Sequence, residues 1–299
     1  MIAGSAGRSA TDTCEVISLE SSATTCKNLP NISTEIFAPV GGLGFNESPI
    51  VCGGAQKDNY SNRCFSLNIN EWVLVESMSS ARGYAAGGNL QDGNYLVIGG
   101  ISDSGFFLET AEMLTAQGWD SKVPPLPVTL IYHCMVTINS TTVMIIGGQQ
   151  SSGNPEWTFY FNFGNERWTW GPELKQGRTG HSCGRIIKDK DSQEMSIIVA
   201  GGEDGRPLSS VEILDEGSEE WRTGPKLPLS ILWSQMVEHQ NGGVILIGGS
   251  SEFNSSMDTL FYLPHGGQDA VWTQMEQKLK IGREFHTGFL VPDNIVDCS

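Results

Sequence analysis

The chain has 299 residues, 17% of them charged, and 36 glycines, a turn-rich and lightly charged composition that excludes a disordered polypeptide. Its formal charge of −16 excludes nucleic acid and anionic membrane as electrostatic partners, since both require a basic surface. No apolar run is long enough for a membrane-spanning helix, and the opening MIAGSAGRSA lacks the basic segment and apolar run of a signal peptide.

Along the chain, a short apolar run closing on two glycines recurs: PIVCGG to Gly54, YLVIGG to Gly100, VMIIGG to Gly148, SIIVAGG to Gly202 and VILIGG to Gly249. The first glycines of these pairs stand 46 to 54 residues apart, and a degenerate copy, MIAGS, places Gly4 another 49 residues before Gly53. A tryptophan follows each intact pair by 19 to 24 residues, at Trp72, Trp119, Trp168, Trp221 and Trp272, and Cys26 stands near that place in the first copy. The segments from Leu126 and Leu227 align without a gap at an offset of 101 residues. Such a period marks a repeat architecture, with approximate repeats 1–35, 36–79, 80–127, 128–175, 176–228 and 229–281.

Each repeat predicts four short strands. The run before the glycines is apolar at nearly every position, as in a strand buried on both faces, and the glycines permit positive φ where the chain leaves it. An alternating strand follows, as in TAEMLT and SVEILD, then a tight turn and a strand whose indole wedges between neighbouring sheets. Units that cannot bury both faces alone stack around an axis into a propeller. Only three residues precede Gly4, too few for a first strand, whereas the chain beyond Trp272 matches the start of a repeat. Residues 284–291 are expected to supply the innermost strand of the first blade, beside residues 1–4, which removes an open edge.

The Gly-Gly pair, the later Trp and an Arg-x-x-His opening the next repeat (Arg178-Thr-Gly-His181, Arg283-Glu-Phe-His286) resemble the kelch family over essentially the whole chain. The chain departs from that pattern where several repeats lack the usual third-strand Tyr, and where the first has lost its Gly-Gly and Trp. The resemblance implies an all-β, six-bladed β-propeller of four-stranded blades, one domain, in the superfamily that holds the galactose-oxidase central domain. It also implies that the loops entering each first strand and those after each Gly-Gly share one face around the channel mouth. Arg82, Arg178 and Arg283 recur at one position there, Tyr132 and Trp233 take equivalent places in other repeats, and Arg206 lies in a post-glycine loop. The arginines admit two readings: a positive patch that grips a partner's carboxylates, or braces that join neighbouring blades through backbone carbonyls.

The kelch scaffold also carries copper-radical oxidases, whose metal needs converging tyrosine and histidine ligands. His133, His181 and His286 open first strands, but His in this place belongs to the repeat pattern, and only Tyr132 adjoins one of them. The acid pairs Glu203-Asp204 and Glu219-Glu220 fall in predicted turns, and no helix pattern follows the glycine pairs to make a phosphate loop. The expectation is a binding or scaffolding module with no catalytic residue, metal or cofactor, taking a protein or glycan partner. A metal-dependent oxidase and the recognition half of an intracellular adaptor are the alternatives.

Cys14 and Cys26 fall on consecutive strands of repeat 1, Cys52 and Cys64 flank a strand connection of repeat 2, and Cys134 and Cys183 lie on first strands of adjacent repeats. Antiparallel neighbours lie within disulfide range, so these three pairs are expected, with Cys298 left over. With five Asn-x-Ser/Thr sequons, at Asn31, Asn46, Asn59, Asn139 and Asn254, the cysteines point to a secreted glycoprotein, with a cytoplasmic chain as the alternative.

Overall fold

The apolar runs become second strands buried at every position, as in Pro49–Cys52, Tyr95–Ile98 and Val244–Ile247. They are buried because each sheet packs both faces on its neighbours. One cluster joins Ile198, Val211 and Ile213 of one sheet to Val244, Leu246 and Phe261 of the next, and another joins Leu96 and Ile98 to Val143, Ile145 and Phe159. The structure is a computed structural model and describes residues 2–6, 9–19, 26, 29–44, 47–56, 59–252, 255–292 and 295.

Among these residues the protein is an all-β propeller. Four antiparallel sheets have four strands each, in the order first, second, third, outer; one of them runs Ser182–Ile187, Met195–Ala200, Val211–Asp215, Arg222–Thr223. A fifth sheet has seven strands, and a two-stranded ribbon, Ala55–Gln56 with Asn59–Tyr60, completes the set. Six separate four-stranded sheets are therefore not what the chain forms. The physical reason is the 16-residue strand Thr273–Gly288, which pairs on one side with Ser255–Leu263 and on the other with Ile2–Ala6, so that the sixth repeat and the N-terminal segment share a sheet. The register there runs Ile2↔Gly288, Ala3↔Thr287 and Gly4↔His286.

The glycine pairs end the second strands as expected. Gly99 and Gly100 take φ of +65° and +95°, and a Cβ on them would meet Leu130 O at 2.8 Å and Gly83 O at 2.6 Å. Only glycine combines that conformation with that approach. The repeat tryptophans each donate to a carbonyl of the preceding repeat, at 2.8 to 3.1 Å: Trp72 to Pro30, Trp119 to Glu76, Trp168 to Pro124, Trp221 to Pro172 and Trp272 to Pro225.

Two of the three expected disulfides are present, Cys52–Cys64 within one sheet and Cys134–Cys183 between two first strands. The Cys14–Cys26 pairing is corrected. Cys14 is a buried free thiol, which burial pushes up to about 12, while Cys26 is disulfide-bonded elsewhere. Cys14 sits instead in an apolar cluster with Ile32, Ile36 and Trp72. Cys298 lies outside the described residues, as do Asn46 and Asn254. Asn31, Asn59 and Asn139 are exposed.

Candidate partner-binding face

The entrance to each first strand is built on one conformation. Ala38, Tyr84, Tyr132, Gly180, Trp233 and Phe285 all adopt left-handed φ, between 50° and 61°. Each of these residues but glycine pays on the order of 1 kcal/mol for it, and a backbone cycle explains why they hold it. Ala38 N donates to Phe285 O, Phe285 N to Trp233 O, Trp233 N to Gly180 O, Gly180 N to Tyr132 O, Tyr132 N to Tyr84 O, and Tyr84 N to Ala38 O, at 2.7 to 3.3 Å. The six peptides thus form a closed ring of hydrogen bonds at one end of the central channel.

Side chains at these positions converge over the ring. Tyr84 and Tyr132 lie 4.5 Å apart, Tyr84 and Phe285 5.6 Å, Tyr132 and Phe285 6.1 Å, and Trp233 stacks on Phe285 at 4.2 Å. Phe37 joins from the position before Ala38, 5.0 Å from Phe285. All five are half-buried. Gly180 has no side chain to contribute, and the Trp233 indole takes its space, since a Cβ there would fall 2.6 Å from Trp233 Cδ1. The post-glycine loops surround this end, because the residue before five of the six ring positions bridges to the residue after a glycine pair: Phe37 to Ala55, Gly83 to Ile101, Ile131 to Gln149, Thr179 to Glu203 and Leu232 to Ser250.

The arginines do not belong to the surface. Arg82, Arg178 and Arg283 are 0–1% exposed, so the expected positive patch is not formed. Arg82 donates to Gly99 O, Thr110 O and the Glu112 carboxylate, and Arg178 repeats this with Gly201 O, Ser210 O and Glu212. Arg283 reaches Thr13 and Glu15 across 270 and 268 residues of sequence. The ion pairs measure 2.8, 2.7 and 2.9 Å. The bracing reading is corrected too: Arg82 and Arg178 bind carbonyls of their own repeats, so through these bonds they tie strands within a repeat and do not join neighbouring blades. Burial would push Glu112 up, but the Ser79 N–H and Arg82 more than offset it and hold the carboxyl below its usual range.

The three histidines lie in the same buried layer. A Cβ at Gly99, Gly147 or Gly248 would fall within 3.1 Å of Cε1 of His133, His181 or His286, so each imidazole fills a glycine's missing side chain in the repeat before it. Burial holds His133 down at about 4 and His181 and His286 at about 3, the last two further lowered by Arg178 and Arg283. They are neutral packing groups at pH 7. A channel cavity of about 560 Å³ lies along the first strands, lined by the aromatic ring and by Gln235, Ser182 and Ser234, with Arg185 and Glu238 paired at 3.4 Å.

Of the residues singled out in the sequence, Tyr132 and Trp233 are brought together at this end, and Arg206 is exposed in its loop. Tyr84, Phe285 and Phe37 were missed. The signal was available: they flank or fill the place two residues after Arg82, Arg283 and Ile36.

The Kelch motif matches residues 196–228. The solved structure of YjhT is similar with a TM-score of 0.70 at 13% identity, covering 84% of this chain and 87% of that one. No curated protein matches the sequence. With its sheets, glycine pairs and indole latches in place, the chain is an all-β propeller that carries a Kelch motif over residues 196–228.

Proposed function

We propose that this propeller is a binding module for a protein partner, engaged at the aromatic end of its channel, and that it works outside the cell as a glycoprotein without catalysis. The observation that carries the reading is the convergence of five half-buried aromatic side chains, from four repeats and the segment after the sixth, on one site. Aromatic anchors of this kind dominate interfaces, and the arginines and histidines beneath them are buried in the fold. The histidines' role as space-fillers favours binding over an oxidase, and two disulfides suit an oxidising compartment. A glycan is the second ligand class, favoured by a cavity that mixes aromatic and polar side chains and whose volume suits a small ligand.

The same reading treats the seven-stranded sheet as two blades fused along Thr273–Gly288, with residues after Arg283 opening the first. Support comes from the six-membered peptide cycle and from Arg283, which meets Glu15 as Arg82 meets Glu112. A photo-crosslinking residue placed at Phe106, beside the aromatic end, and at Gln91, towards the other end, tests the binding face. In a native extract, adducts that form from position 106 and not from position 91 are expected. Equal or reversed labelling overturns the proposal.

A further inference from the structure

Five residues occupy the place just after the glycine pairs, around the aromatic ring: Ala55, Ile101, Gln149, Glu203 and Ser250. Only Glu203 is charged. It stands against Thr179, next to Gly180, the one ring position without a side chain, whose neighbours in the cycle are Tyr132 and Trp233. Its carboxylate is half-buried and makes no hydrogen bond or ion pair among the described residues, and burial pushes it up from its usual range. It lies close enough for its charge to be felt at the Tyr132 hydroxyl. Arg206, three residues on, is exposed and forms no ion pair with it.

A carboxylate that is partly desolvated and uncompensated favours a cation beside it. Two aromatic faces add quadrupolar attraction, which grows as the site is closed to water. The chain's charge of −16 would draw a basic partner in. We propose that Glu203, Tyr132 and Trp233 receive a single cationic side chain, lysine or arginine, from the protein partner. This rests on the binding-face reading and specifies the partner's chemistry.

The test uses two capped peptides, Gly-Gly-Lys-Gly-Gly and its norleucine counterpart, titrated into the intact chain while the Trp233 indole resonance is followed. The lysine peptide is expected to shift that resonance and to bind about tenfold more tightly than the norleucine peptide. Glu203→Gln, which keeps the side chain's shape and removes its charge, is expected to erase the difference, as is added salt. If both peptides shift the indole equally, the face binds ligands but the cation receptor is wrong. If Glu203→Gln leaves the lysine preference intact, Glu203 is not its source and the inference fails. If neither peptide moves the indole, the cation receptor is likewise overturned, and the binding face is judged by the crosslinking alone.

Discussion

The segments opened by Arg82, Arg178 and Arg283 and those opened by Ile36, Leu130 and Ile231 solve one packing problem in two ways. Each arginine meets a glutamate: Arg82 and Arg178 meet Glu112 and Glu212 on the third strands of their own sheets, and Arg283 meets Glu15 on the edge strand Cys14–Glu15 of the seven-stranded sheet. In the other segments the matching third-strand residues are Phe65, Phe159 and Phe261, which pair with Val51, Ile145 and Leu246, two residues before the glycines, just as Glu112 pairs with Val97. Ile36, Leu130 and Ile231 are as buried as the arginines. The same position thus alternates around the ring between an ion pair and an aliphatic–aromatic contact. The difference teaches that this layer is selected for filling, not for charge, because an apolar pair serves equally well in every second segment.

Acid sharpens the comparison most. His181 and His286 follow the arginines and are held lower than His133, which follows Leu130. All three have folded values below the unfolded value of about 6.5, so the unfolded chain binds more protons. Their contribution is complete above about pH 6.5 and is lost as pH falls towards the folded values near 4 and 3. Stability is expected to drop by up to about 4 kcal/mol per pH unit while all three titrate. Denaturant melts at stepped pH check this, and a flat profile between pH 6 and 4 would show that the imidazoles are not buried neutral.

Breaking one ion pair comes next. Arg178→Ala leaves Glu212 buried without its partner and is expected to cost about 3–5 kcal/mol. The double change Arg178→Leu with Glu212→Phe writes the apolar solution into an ion-paired segment, and it is expected to recover most of that loss. A double variant no more stable than Arg178→Ala would break the equivalence of the two segment types. The indole latch is smaller. Trp221→Phe keeps a large ring but deletes the bond to Pro172 O and is expected to cost about 1 kcal/mol in either segment type, read as a shift in denaturation midpoint.

The alternation also marks where reading the sequence stops. Glycine pairs and tryptophans announce themselves because backbone conformation and volume demand those residue types, and the Cys52–Cys64 and Cys134–Cys183 pairs follow once strand order is known. Arg178 and Glu212 stand 34 residues apart, and only the sheet register shows them to be partners. Glu112 and Glu212 were visible in AEML and VEIL, in repeats that an arginine opens, a correlation between repeats that a single-repeat comparison misses, whereas Glu15 in CEVI has its arginine, Arg283, near the other end of the sequence. Cys14 faces apolar neighbours rather than Cys26, since burial and not strand adjacency decides where a small thiol goes. The aromatic site was half legible: Tyr132 and Trp233 share a position, but that the peptides at this position form a ring is a property of the closed circle, not of any segment.

The central claim is that a buried layer braces the propeller while the aromatic ring two residues further on presents it to a partner. Thermal melting and crosslinking from position 106, measured on the same samples of Arg178→Ala and Trp233→Ala below their melting temperatures, test it most directly. The account predicts that Arg178→Ala lowers the melting temperature more and leaves crosslinking by the folded protein intact, while Trp233→Ala removes the crosslink with the smaller loss of stability. Crosslinking abolished by Arg178→Ala in the folded protein and preserved in Trp233→Ala would contradict it.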